Sequence, residues 1–137
     1  MTIAAMETES MNIPVLIVAI ITMIAFVAHV FGGTRETAAI APEKGDRLVV
    51  SWVQAMCAFQ MLAVDLLALA LLLFAVAIWD LGPGETLILQ LASALYLLWA
   101  VVWVAQVLWL RRPSATLLKL PHWIVWSLCS GLLFFGS

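Results

Sequence analysis

Apolar residues in this chain fall into four long, nearly uncharged runs that are separated by short polar connections. The runs cover residues 12–31, 48–79, 86–110 and 120–136. About 20 helical residues cross a hydrocarbon layer of ~30 Å, and no period-two alternation favours membrane strands. The pattern therefore predicts an all-α polytopic membrane protein, with residues 1–137 forming one domain, an up-down bundle of four transmembrane helices.

Composition supports a membrane protein and leaves no room for a separate soluble domain. Hydrophobic residues make up 66% of the chain and charged residues 10%, with a mean hydropathy of +1.15. Soluble proteins carry roughly 25% charged residues. Glu7 and Glu9 precede the first run without any Lys or Arg, so we expect a retained helix rather than a cleaved signal peptide. The predicted partner is the lipid bilayer, and not a nucleic acid.

The distribution of positive charge predicts the orientation. Every Lys and Arg lies in the first or third connection, namely Arg35, Lys44, Arg47, Arg111, Arg112 and Lys119. The N-terminus, the "DLGPGE" turn and the C-terminus carry none. Positively charged loops stay in the cytoplasm. We therefore predict a bacterial inner-membrane protein with both termini outside and with the basic loops 32–47 and 111–119 in the cytoplasm.

The connections carry recognisable turn and stop signals. Gly32-Gly33 predicts the end of the first helix, and a short helix plus a turn should follow before the second. The "GPG" of residues 82–84 predicts a tight outer turn. The second run, at 32 residues or about 48 Å, exceeds the membrane thickness. It either begins as an interfacial helix or tilts steeply.

Small residues repeat at heptad spacing on the second run. Ala63, Ala70 and Ala77 would let another helix approach closely. We expect them to pack within the bundle, with a dimer interface as the alternative.

Polar residues concentrate near the cytoplasmic end of the bundle. Asp65 is the only acid inside a run, and such a residue is a candidate functional group. His29 and His122 lie near the same boundary, and each run offers one face with polar or small members. These faces are Thr22/Ala25/His29, Ser51/Gln54/Ala58/Met61/Asp65, Ser93/Tyr96/Ala100/Trp103/Gln106 and His122/Trp126/Cys129. Directed at one axis, they predict a polar pocket open to the cytoplasmic leaflet, with Asp65, Gln106, Trp103, Gln54, Arg35 and Glu36 as its members.

Simpler interpretations stand beside the pocket. Either histidine can place its polar tip among lipid headgroups, and Asp65 can serve a structural hydrogen bond. The Arg35-Glu36 pair can anchor the chain at phosphates. Cys57 and Cys129 lack metal-ligand spacing and are expected to be small packing residues.

Four function classes compete for these residues, and the first is preferred. It is a non-enzymatic accessory or helix-interaction protein, which would join a homo-oligomer or another membrane subunit; no nucleophile–base set, phosphate loop or zinc motif is present. The second is a redox subunit, with His29 and His122 as axial ligands of a b-type haem or, with Asp65, as a quinone site. The third is a small proton-coupled transporter that uses Asp65. The fourth, an enzyme of the membrane glutathione-transferase type, needs Arg and Asn early in the second helix, where "SWVQAMCAFQ" has neither.

The string "AHVFGGTRE" followed by Ala41-Pro42 resembles a group of small bacterial four-pass inner-membrane proteins. In that group a first-helix histidine precedes a Gly-Gly-Arg-Glu-like turn. Here Thr34 interrupts the turn, and Gln54 stands where the group more often has a histidine after the tryptophan. The resemblance covers the first half of the chain and implies a topology without implying an activity.

Overall fold

The computed structural model describes residues 11–110 and 114–137, and every regular element in these ranges is helical. The order is α1 (Ile13–Ala28), a π-helical turn (His29–Gly33), α2 (Thr34–Ala39), α3 (Val49–Ile78), a 3₁₀ turn (Gly82–Gly84), α4 (Glu85–Trp109), α5 (Ser114–Lys119) and α6 (His122–Gly136). The helices α3, α4 and α6 begin and end within two residues of the predicted runs.

Three helical stretches are long and apolar enough to cross a membrane. They are Ile13–Ala39, Val49–Ile78 and Gly82–Trp109, with hydropathies of 2.7, 2.8 and 2.1. The apolar helix α6 is shorter, at 15 residues, or about 22 Å. The predicted all-helical class is confirmed, and the three long helices are compatible with a small integral membrane protein.

The first helix differs from the prediction, because Gly32-Gly33 does not end it. The backbone N–H of Thr34 bonds to the carbonyl of His29, and Gly33 keeps helical angles of φ −62 and ψ −39. One π-helical turn therefore carries α1 directly into α2. The helix ends only at Ala39, three residues before Pro42. The predicted short helix is present as α2, but it continues the first helix rather than following a stop.

Aspartate side chains accept backbone N–H groups in the turn at Gly82 and in the turn before α3. Gly82 has φ +73, a left-handed conformation that side chains disfavour, and its N–H bonds to the Asp80 carboxylate at 2.7 Å. Before α3, Asp46 accepts the N–H of Leu48 through its side chain at 2.8 Å. The turn at Gly82 agrees with the predicted outer turn at residues 82–84, and the turn before α3 with the turn expected before the second run.

The chain divides into two compact units. We call residues 11–18 and 75–137 the terminal unit, and residues 19–74 the central unit. In the terminal unit, α6 lies antiparallel to α4: Trp103 contacts His122, with ring centroids 4.5 Å apart, and Ser93 Oγ donates to the Ser130 carbonyl at 2.9 Å. Between these two levels, Tyr96 and Trp126 pack with ring centroids 5.7 Å apart.

The central unit contains the second part of α1, the π turn, α2 and most of α3. The buried residues of α3 in this unit are small or aliphatic: Ala63, Leu66, Ala70 and Leu73. Ala77, in the terminal unit, is buried as well. The heptad alanines thus take part in packing within the chain, as the sequence predicts.

Candidate functional site

The π turn places His29 directly against α3. The imidazole stacks on the Phe59 ring with centroids 3.6 Å apart and an interplanar angle of 18°. Its Nε2 also lies 2.9 Å from the backbone carbonyl of Phe59. A carbonyl oxygen can only accept, so Nε2 is the donor and carries the hydrogen. This bond leaves Nδ1 as the ring nitrogen with a free lone pair when the imidazole is neutral.

Gly33 provides the close approach that this contact needs. A Cβ built on Gly33 would lie 2.5 Å from Phe59 Cζ, whereas one built on Gly32 would meet nothing within 4 Å. The Phe59 ring therefore lies directly over the Gly33 backbone, with His29 stacked on it. Only a glycine at position 33 allows this arrangement without movement of the ring.

Two further side chains of α3 form hydrogen bonds with α2. Gln60 donates through Nε2 to the Thr34 hydroxyl at 2.8 Å, and the Trp52 indole donates to the Thr37 carbonyl at 3.2 Å. Together with His29 they form a ladder of polar contacts between two helices, and such bonds contribute about 0.6 kcal/mol each in membrane bundles. "HVFGGTRE" is therefore a helix–helix junction.

The opposite face of α3 is exposed along six turns. It consists of Ser51, Gln54, Ala58, Met61, Asp65, Ala68 and Leu72, all exposed in the structure; we call this set the α3 stripe. The intervals alternate between three and four residues, which is the heptad spacing of a helix–helix interface. Among the described residues, no hydrogen bond or ion pair reaches Asp65.

The exposed and buried faces of α3 carry different residues. Asp65 and Gln54 are exposed, whereas the buried residues are alanines and larger aliphatic side chains; the predicted pocket around Asp65 and Gln54 stays a prediction. Small apolar side chains allow close backbone approach, while an interior carboxylate would need hydrogen-bond donors around it. The packing of α3 follows this difference.

Three of the predicted site residues, His122, Trp103 and Gln106, lie in the terminal unit. His122 is exposed and packs on Trp103 at an interplanar angle of 36°. Gln106 is exposed, and the buried Nε1 of Trp103 has no hydrogen-bond partner among the described residues. His29 and His122 belong to different units, so their shared ligand and the cytoplasmic pocket remain predictions.

The Arg35-Glu36 pair lies on α2 with both side chains exposed. Its partners in the predicted basic side, Arg111 and Arg112, lie outside the described residues. The exposed pair fits a position in solvent or among headgroups.

Asn12 makes structural hydrogen bonds that the pattern of apolar runs did not predict. Its side chain donates to the Gly136 carbonyl at 2.9 Å and accepts the Val15 N–H at 3.4 Å. Its backbone N–H bonds to the Ala77 carbonyl at 3.1 Å. One residue thus joins the start of α1, the end of α3 and the end of α6. The only sequence signal was its place as an N-cap before Ile13-Pro14.

A cleft of about 330 Å³ adjoins Asn12 in the terminal unit, lined by Asn12, residues 76–80 and Glu85. Its ionisable groups are the carboxylates of Asp80 and Glu85, and the Asp80 carboxylate already holds the Gly82 N–H.

Within the described ranges, no three His, Cys, Asp or Glu side chains are grouped so that they could hold a metal ion. Comparisons of the chain with protein-family models, curated proteins and solved structures give no match.

Proposed function

We propose that this chain is a non-enzymatic, four-span protein of the bacterial inner membrane, and that it acts as a helix-interaction subunit through the α3 stripe. The observation that carries this proposal is the exposure of Asp65 on a helix apolar enough to span a membrane. Fourteen residues separate Asp65 from Trp79, or about 21 Å along the helix. Asp65 therefore lies within the hydrocarbon layer if Trp79 marks its outer boundary.

A carboxylic side chain that faces lipid is unfavourable. Insertion measurements assign about 2.5–3.5 kcal/mol to an aspartate at the centre of a span. A neighbouring helix that covers the α3 stripe would remove Asp65 from lipid and supply hydrogen-bond partners. The other residues of the α3 stripe, on both sides of Asp65 along the helix, would let the neighbouring helix contact α3 over most of its length.

The geometry around Asn12 supports four crossings. Asn12 joins the start of α1 to the ends of α3 and α6, and α6 lies antiparallel to α4 from Trp103 to Ser93. These contacts suit a chain that crosses the membrane four times and returns its C-terminus to the side of its N-terminus. The basic connections then lie together on the cytoplasmic side.

The arrangement at His29 favours a structural role over haem ligation. Its Nε2 is engaged by the Phe59 carbonyl, and its ring is stacked on Phe59. An axial ligand would have to use Nδ1 or break this bond.

Photo-cross-linking in native membranes tests the proposal. A photoreactive residue replaces Met61, which is 68% exposed in the α3 stripe, and in a matched variant it replaces Leu98, which is 55% exposed on α4. We expect a protein adduct of one defined mass from position 61, and only lipid adducts from position 98. Only lipid adducts at both positions would overturn the proposal.

A further inference from the structure

We infer that the occupant of the α3 stripe is a second copy of this chain, packed as a parallel two-fold dimer. This inference rests on the proposed function and names its partner. In such a dimer each layer of the stripe meets the same residue of the other copy, because the symmetry axis runs along the interface.

The spacing of the stripe suits this geometry. Ser51, Ala58, Asp65 and Leu72 repeat every seven residues, and so do Gln54, Met61 and Ala68. The two sets form the alternating positions of a left-handed helix pair, in which each side chain enters a gap on the facing helix. A shallow, largely apolar groove of about 400 Å³ adjoins the stripe at Met61 and is otherwise lined by Met56, Cys57, Gln60 and Val64.

The chemistry of the polar members favours a second copy over an unlike partner. The Ser51 hydroxyl and the Gln54 amide each contain a donor and an acceptor, so either can bond to its own counterpart. Two facing Asp65 carboxyls bond to each other when they share a proton. Each polar residue of the stripe can therefore pair with the same residue of a second copy.

The sizes of the other members also fit self-association. Ala58 lies one heptad before Asp65, and Ala68 lies three residues after it. Two alanines at the same layer let the helix backbones approach closely on both sides of the acid pair. A polar pair at one layer also fixes the register, since a shift along the helix would leave each carboxyl against an apolar side chain.

Disulfide scanning in isolated membranes tests the inference. The full chain carries Cys57→Ala and Cys129→Ala, and single cysteines replace Ala58, Met61 or Leu72 in the stripe. Matched controls replace Ala55 or Leu62, which are exposed on α3 but rotated by about 100° or more from Met61. After oxidation, we expect homodimers from the three stripe positions and not from the controls. Two differently tagged copies establish that both halves are this chain.

Substitution of Asp65 distinguishes the contribution of the Asp65–Asp65 contact from that of the rest of the dimer interface. Asp65→Asn keeps a donor and an acceptor and should retain dimers at the level of the parent. Asp65→Lys should lower the dimer fraction roughly tenfold, because two cations would face each other in a low-dielectric layer. Monomer melting in detergent checks that both variants fold.

The outcomes distinguish the two proposals. Self-cross-links confined to the stripe positions support the dimer. A photo-adduct of another protein at position 61, without self-cross-links, overturns the second copy and leaves the helix-interaction function standing. Equal cross-linking at stripe and control positions, or none in either experiment, overturns the dimer as well.

Discussion

The two adjacent glycines, Gly32 and Gly33, differ in whether the structure has room for a Cβ atom. Gly33→Ala should lower the free energy of unfolding by about 1–2 kcal/mol, since its Cβ would displace the Phe59 ring from His29. Gly32→Ala should leave stability unchanged or raise it by up to about 1 kcal/mol, because alanine favours a helix and nothing lies nearby. Thermal unfolding of the purified protein in detergent measures both.

A second substitution locates the effect of Gly33→Ala. Combined with Phe59→Leu, which removes the ring from the contact, the alanine at position 33 should cost little more than Phe59→Leu alone. Equal melting temperatures for the two single glycine variants would show that the Gly33–Phe59 contact is not as described.

For these individual residues, the sequence indicated that His29 and Gly32-Gly33 differ from the apolar run before them. It did not indicate which residue they contact. Gly-Gly after an apolar run usually ends a helix, and no local pattern reveals an aromatic ring 26 residues later that favours continuation. Phe59 is distant from Gly33 in the sequence and close to it only in the folded chain, so the structure was needed to reveal this contact.

At the level of the elements, helical spacing grouped the residues of the exposed face of α3 correctly, but hydrophobicity did not indicate which face of α3 is buried. Helical spacing placed Ser51, Gln54 and Asp65 on one side, and the structure keeps them together. Inside a membrane, however, lipid is as apolar as the protein interior, so hydrophobicity does not tell which side packs. The repeat of small residues at Ala63, Ala70 and Ala77 was the better signal.

Asn12 allows a test of how the helix ends are held. Asn12→Ala should reduce stability by about 1–2 kcal/mol, since it removes both the donor to Gly136 and the acceptor for Val15. Asn12→Asp retains the acceptor and should lose about half as much. Unfolding in mixed detergent micelles, with Met11→Ala at an exposed neighbour as the control, gives the comparison. If Asn12→Ala unfolded like the Met11 variant, the junction would not stabilise the protein.

For the whole molecule, composition and run length were sufficient to predict the all-helical class and three helices that are long and apolar enough to span a membrane. Two of these helices match their runs closely, while the first continues past the predicted stop, because length and hydropathy can be read from the sequence but the contact at Gly33 cannot. The fourth run is different: α6 has 15 residues, fewer than the ~20 that usually span the layer. The proposal that α6 crosses the membrane therefore rests on its contacts with α4 and Asn12, which the sequence does not show.

Cysteine accessibility tests the four-span arrangement, on which the position of the α3 stripe depends. In the Cys57→Ala, Cys129→Ala background, single cysteines replace Leu81, Ser137 or Lys44, which are all exposed. An impermeant maleimide applied to spheroplasts should label positions 81 and 137, and should label position 44 only after lysis. Protection of position 137 while position 81 reacts would mean that α6 does not cross the membrane, and labelling of position 44 before lysis would contradict the orientation.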